Sequence, residues 1–205
     1  MDLLELKNQF IKEELQITDD FGRIFSFIDF SNVNKWFEND DRNLENELLA
    51  DGKKVAVYLE GLKSFADIFS ERTRIYYGEN PQNEKSLNFT HAMRKIFGKL
   101  DVVTKDLQKI KHYFSDGEQI PTKYVESDFE GKKFIIIRKS NFDVEISVDA
   151  IKMMEHYNTF CIFSGDADFV YLNNFLKKKG KKIIIVKGGF ILTKLRKSAD
   201  LVINA

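Results

Sequence analysis

The sequence predicts an α/β fold: a three-layer sandwich around a mostly parallel central sheet, extended by an N-terminal helix and an inserted segment. Three observations carry this. Short apolar runs of strand length alternate with helical spacings along most of the 205 residues, the pattern of strand–helix–strand crossovers. Residues 183–186 are four β-branched side chains in succession, as expected of a strand covered on both faces. Hydrophobic residues make up 43% of the chain and Pro only 2 positions, which suits a sizeable core built from regular elements.

Taken in order, residues 1–18 place Leu3, Leu6, Phe10, Ile11 and Leu15 near helical spacing with Lys and Glu between them, an amphipathic helix that packs on the body or on a partner. We set 1–22 apart as this helical segment and 23–205 as the main domain. Asp19, Asp20 and Gly22 make a turn, and residues 24–28 form a strand ending at Asp29. A helix is expected over 34–46 with Trp36 and Phe37 as buried anchors, then a charged loop or exposed helix end over 40–54. A strand-like start and a helix follow over 55–69. Residues 74–77 read as the second strand, closed by Gly78 and the Asn80–Pro81 turn signal. A helix over 87–97 and a third strand over 100–104 come next. Residues 106–137 mix charged and apolar positions, with a hairpin turn at Glu130–Gly131, and read as an insertion. A helix over 144–157, a fourth strand over 160–163, and a helix over 169–179 capped by Gly180 lead to the strand at 183–186. A helix around 192–197 and a short strand over 201–203 end the pattern.

Composition narrows the function classes. A single cysteine, Cys161, excludes an internal disulfide and a cysteine zinc site, and its apolar surroundings suit a core thiol. No stretch of about 18 apolar residues and no leader pattern appear, so a soluble, cytoplasmic protein is expected. Lys and Arg balance Asp and Glu at 32 each, which gives no global pull toward polyanions. The distribution is uneven: residues 169–199 hold no acid but carry Lys177, Lys178, Lys179, Lys181, Lys182, Lys187, Lys194, Arg196 and Lys197. That run reads either as a phosphate-docking surface or as solvated helix ends favoured by the dipole.

In a parallel sheet, ligands bind beyond the carboxyl ends of the strands. Two predicted strands end in acid there: Asp29 after the first, and Asp166 and Asp168 in Ser164-Gly165-Asp166-Ala167-Asp168 after the fourth. Converging carboxylates repel one another unless a cation neutralises them, and hard cations prefer oxygen ligands. Alone, each acid would read as a helix N-cap. Two such clusters in corresponding positions favour a shared site, and Gly165 allows a tight backbone turn beside a ligand.

These motifs resemble those of the NYN domains, a branch of the PIN-like nucleases. Ile28-Asp29-Phe30-Ser31-Asn32 near the start and Ser164-Gly165-Asp166-Ala167-Asp168-Phe169 near the end carry the likeness. Between them stand Lys139-Ser140-Asn141-Phe142-Asp143-Val144 and Val148-Asp149-Ala150, and Gly180-Lys181-Lys182, Leu195-Arg196 and Ala199-Asp200 match the usual ending. The likeness runs in order over roughly residues 23–204. It implies a PIN-like fold with metal-site and catalytic roles for Asp29, Asp143, Asp166 and Asp168. It further implies supporting or substrate-binding roles for Asn32, Lys139, Asp149 and Ser164, with Mg²⁺ or Mn²⁺ as the cofactor. Residues 38–70 and 106–137 are longer than the family pattern needs.

The expected function is therefore a divalent-metal-dependent endoribonuclease acting on RNA, single-stranded or structured. A homodimer and a protein partner on the N-terminal helix are left open. The main alternative is a catalytically weak RNA-binding or regulatory module of the same fold. A phosphatase of the haloacid-dehalogenase kind would need a second aspartate where Ser31 stands. His91, His112 and His156 are scattered, with no partner at ligand spacing.

Overall fold

The apolar runs assemble into one buried sheet. In the computed structural model, residues 2–37, 57–115 and 125–205 are described. In chain order the elements are α1 (Leu3–Glu14), β1 (Ile24–Asp29), α2 (Phe30–Val33), α3 (Leu59–Asp67), β2 (Arg72–Glu79), α4 (Glu84–Phe97), β3 (Val102–Asp106), β4 (Gln108–Tyr113), β5 (Val125–Ser127), β6 (Lys133–Lys139), α5 (Asp143–Lys152), β7 (Thr159–Phe163), α6 (Val170–Lys178), β8 (Lys182–Lys187), α7 (Thr193–Ser198) and β9 (Leu201–Asn204). Six strands form the main sheet in the order β3-β2-β1-β7-β8-β9, and every pairing in it is parallel.

Side-chain alternation divides the core into two layers, because successive strand residues point to opposite faces. Ile28, Ile75, Cys161, Phe163, Ile184 and Val186 face α2, α3 and α4 through Val33, Leu62, Ala66 and Met93. Phe27, Tyr76, Phe160, Ile162, Ile183 and Ile185 face α5, α6 and α7 through Ile146, Leu172, Leu176 and Leu195. The result is the predicted three-layer sandwich.

The strand order reverses at β1. The chain winds from β1 to β2 and β3 on one side, and β7 to β9 lie on the other. A crevice therefore opens between the carboxyl ends of β1 and β7, where such sheets bind ligands. The register pairs Ile28 with Phe163, so Asp29 and Ser164 leave the sheet side by side.

Several elements differ from the sequence expectation. Residues 30–33 form one helical turn, and 38–46 of the predicted helix lie outside the described residues, as do 55 and 56 of the strand-like start. Trp36 and Phe37 are half-buried rather than buried. Leu100 precedes the third strand and is 81% exposed. The helix after Asp143 ends at Lys152 and is followed by a 3₁₀ turn over Met154–His156. Strands β4, β5 and β6 form a second, antiparallel sheet in the order β4-β6-β5, with the β5–β6 turn at Glu130–Gly131, where Gly131 takes φ +77°. Helix α1 buries none of its residues, and Leu3, Leu6 and Phe10 stay exposed. Among the described residues no helix is long and apolar enough to cross a membrane.

Candidate metal centre

Three carboxylates meet at the switch point. Asp143, Asp166 and Asp168 each offer an oxygen, and these oxygens lie within 4.8 Å of one another. Asp166 and Asp168 come from the loop after β7. The Asp166 carboxylate also accepts the backbone N–H of Asp168 at 3.0 Å, as the N-cap of a 3₁₀ turn, so the capping and clustering readings both hold for this residue. Asp143 opens α5, its backbone N–H bound to Asn141 Oδ1 at 2.8 Å.

Asp29 lies deeper, only 5% exposed, outside the group of three. Ser31 Oγ donates to its Oδ1 at 2.7 Å and Ser164 Oγ to its Oδ2 at 3.3 Å. Burial lifts the Asp29 carboxyl above the ordinary aspartate range. The two hydroxyls pull it back, and the charge of Asp166 adds to the rise. Asp143 is raised as well, first by burial and then by the charges of Asp166, Asp29 and Asp168, with Asn141 opposing. The four carboxylates thus feel one another although only three share a ligand-sized space.

Ser164 is fully buried and accepts the backbone N–H of Asp166 at 3.2 Å, so it links Asp29 to the loop. Asn32 joins the two acidic loops: its Oδ1 accepts from the Gly165 backbone at 2.9 Å and from Trp36 Nε1 at 3.2 Å. Trp36 in turn stacks on Phe163 with ring centroids 6.4 Å apart and covers Gly188, where an added Cβ would lie 2.6 Å from the indole. Asp149 stands apart from the acidic group. Its Oδ2 accepts from Arg74 Nη1 at 2.7 Å and from the Tyr76 hydroxyl at 2.9 Å, tying α5 to β2. Lys139 ends β6, exposed, and lines a cavity of about 250 Å³ together with Ser31.

Other residues that shape the site have no local signal in the sequence. Lys105 on β3 donates to the Asn141 carbonyl and to Glu145 Oε1, and lies 4.6 Å from the centre of the Phe142 ring. It grips the start of α5 on both sides of Asp143. Gly78 at the end of β2 admits Ser140 so closely that an added Cβ would sit 2.2 Å from Ser140 Oγ. The lysines at the end of α6 lie elsewhere: Lys177 pairs with Asp200, Lys181 donates to the Tyr157 carbonyl, and Lys182 approaches Asp20. These contacts fall before β9, β7 and β1, at the sheet edge opposite the acids, because α6 runs back across the sheet.

The donor set fits a hard divalent cation, since all three donors are carboxylate oxygens at a spacing that ligands about 2.0–2.6 Å from one ion can reach.

Fold and site together define an α/β domain with a carboxylate centre at the switch point of a parallel sheet. The family model for the NYN domain matches residues 23–204, and the chain belongs to that family. The family is PIN-like and generally nuclease-like, and such nucleases use divalent metals. The chain is 34% identical over 68 residues to the low amplitude and bright protein LabA of Synechococcus elongatus (strain ATCC 33912 / PCC 7942 / FACHB-805). That match covers 33% of this chain and 37% of LabA, so the chain spans little more than a third of its relative's length. A solved structure of a protein of unknown function, VPA0982 from Vibrio parahaemolyticus RIMD 2210633, shares the fold with a TM-score of 0.58 and 18% identity, over 91% of this chain and 94% of that one.

Proposed function

We propose that the chain is a divalent-metal-dependent endoribonuclease whose Mg²⁺ or Mn²⁺ site is built on Asp143, Asp166 and Asp168, with Asp29 behind them. One observation carries the reading: carboxylate oxygens from two separate segments lie within 4.8 Å of one another at the switch point of an NYN domain. A cation there supplies Lewis acidity toward a phosphoryl oxygen and makes water more acidic. The remaining work belongs to the chain. Asn32 pins Gly165 so that Asp166 and Asp168 stay aimed at Asp143. Ser164 and Ser31 hold Asp29 in one orientation, where its charge adds to the field that draws a cation in. Lys139 attracts a substrate phosphate, and Asp149 braces α5 through Arg74. Tyr171 and Phe190, each 85% exposed near the same sheet edge, offer faces for base stacking.

The test is cleavage of labelled single-stranded RNA and DNA with Mn²⁺, Mg²⁺ or EDTA by wild type and Asp166→Asn. Metal-dependent RNA cutting is expected, reduced by the substitution about a hundredfold or more, as is usual for losing a principal electrostatic group. A second reading, an RNA-binding module with little turnover, draws on Asp29, whose two oxygens are already engaged by serines. Folded protein that cuts neither polymer with any metal, yet binds RNA, would leave that reading in place of the first.

A further inference from the structure

Helix α1 is amphipathic, but its apolar side faces outward. Leu3, Leu6 and Phe10 stand at i, i+3 and i+7, one stripe along the helix, and are 81%, 51% and 62% exposed. With Lys7, Gln9 and Glu13 they line a hollow of about 490 Å³ to which no other described element contributes. The side turned toward the body is polar. There Glu5, Asn8 and Lys12 face Asp67 and Ile68, at the end of α3, across a cavity of about 930 Å³. Leu15, just past the helix, packs against the core. The arm is fixed at both ends. Glu5 accepts the Asp2 backbone N–H at 3.0 Å. At the other end the Gln16 N–H donates to the Glu13 carbonyl at 2.9 Å and the Ile17 N–H to the Lys12 carbonyl at 2.8 Å, closing the last turn. Gln16 takes φ +61°, alone among the described non-glycine residues, where glycine is usual. An isolated helix of 12 residues is marginal in water. A strained exit that holds such a helix outward points to packing against something beyond this one chain.

We infer that the outer stripe of α1 joins two copies of this chain, their α1 helices lying parallel and in register. Leu3 and Phe10 then take the a positions and Leu6 the d position of a short two-stranded seam. The charges select both the occupant and the direction. Asp2 and Gln9 flank the stripe on one side, Lys7 and Glu14 on the other. A parallel pair sets Asp2 of each copy beside Lys7 of the other, whereas an antiparallel pair sets Lys7 against Lys7. Four acids against two lysines over residues 2–14 disfavour an anionic membrane as the occupant. One three-turn helix per copy makes a seam at the small end of specific interfaces, so a dissociation constant on the order of tens of micromolar is expected.

The experiment is analytical sedimentation of the full chain from about 1 to 500 μM, which brackets that constant. Wild type is compared with Leu6→Glu, Phe10→Glu and Lys7→Glu, and with Leu100→Glu, an exposed leucine away from α1. Wild type is expected to pass from monomer to dimer across the range. Leu6→Glu and Phe10→Glu are expected to weaken the dimer about a hundredfold or more, as for loss of a central anchor. Lys7→Glu is expected to weaken it about three- to tenfold, by facing Asp2 with a like charge. Leu100→Glu is expected to associate as wild type. Helix α1 buries none of its residues, so these variants should fold, and circular dichroism checks it. Direction is read separately by oxidising Leu3→Cys, since Cys161 is buried. Parallel helices bring the two introduced thiols within disulfide reach, whereas antiparallel ones hold them roughly 15 Å apart. A chain that stays monomeric at the top of the range would overturn the inference, whether or not it sediments with phosphatidylcholine vesicles. A dimer that Leu6→Glu and Phe10→Glu leave intact, or Leu3→Cys copies that fail to cross-link, would overturn it too.

Discussion

Asp29 carries a carboxylate into a site only 5% exposed, where two hydroxyls face its oxygens. Its raised pKa means that the folded state holds its proton more tightly than the unfolded state does. The stability this contributes is present in acid and is lost as pH rises through the folded value. Asp29→Asn removes the burden of a buried charge, so in EDTA at pH 7 it should raise Tm by roughly 2–4 °C, about 1 kcal/mol for a chain of this size. The advantage should shrink toward pH 4. A variant that melts below wild type at pH 7 would show that the serines need the charge. Asp149 should behave in the opposite way. Removing it takes the acceptor from Arg74 and from the Tyr76 hydroxyl, while Arg74 keeps Asp101 at 3.7 Å and the Leu100 carbonyl, so Asp149→Ala is expected to lower stability by about 2 kcal/mol while calorimetric Mn²⁺ binding survives. Lost Mn²⁺ binding in a folded Asp149→Ala protein would return this residue to the centre. Asp29, Asp166 and Asp168 are legible in the sequence because strand-end acids announce themselves locally. Lys105 and the Arg74–Asp149 pair are not, since their partners are 40 and 75 residues away.

Strand β6 shows why the inserted sheet resists sequence reading. Its residues and those of β4 are mostly exposed, so no alternation of buried and polar positions marks either strand. The fully buried β7 and β8 are plain from their apolar runs. Helix α1 misleads in the other direction: its helical spacing is correct, yet the stripe it draws faces solvent. At this scale Gly78 is the joint between the two sheets, letting β6 finish against β2 and hand Asp143 to the crevice. Gly78→Ala should overpack Ser140 at about 1–3 kcal/mol. It should also weaken Mn²⁺ affinity about tenfold by shifting the start of α5. Unchanged affinity in a destabilised Gly78→Ala protein would mean that Lys105 alone positions Asp143.

The six-stranded sheet carries both layers of the core, and the chain's single thiol can report on its opening. Cys161 is fully buried at the centre of β7, and burial pushes it up to about 12. It should therefore resist iodoacetamide at pH 8 except through opening of the sheet. Saturating Mn²⁺ should slow labelling in proportion to its stabilisation of the fold. Fast labelling of native protein would contradict a sheet that opens only as a whole. The sheet edge that carries the acids is legible in the sequence, because the strand–helix alternation and the acid-tipped strands imply it; the reversal of strand order at β1 is not. Nor is the way Trp36 seals the crevice, since that depends on Gly188 and Phe163 arriving from strands distant in sequence. This arrangement has an optical consequence. The chain holds one tryptophan, and its indole N–H is bonded to the same Asn32 oxygen that holds the loop of Asp166 and Asp168. The protein thus carries a native fluorophore wired to its acidic loop, and a cation or strand arriving there should announce itself in the emission of Trp36 without any dye.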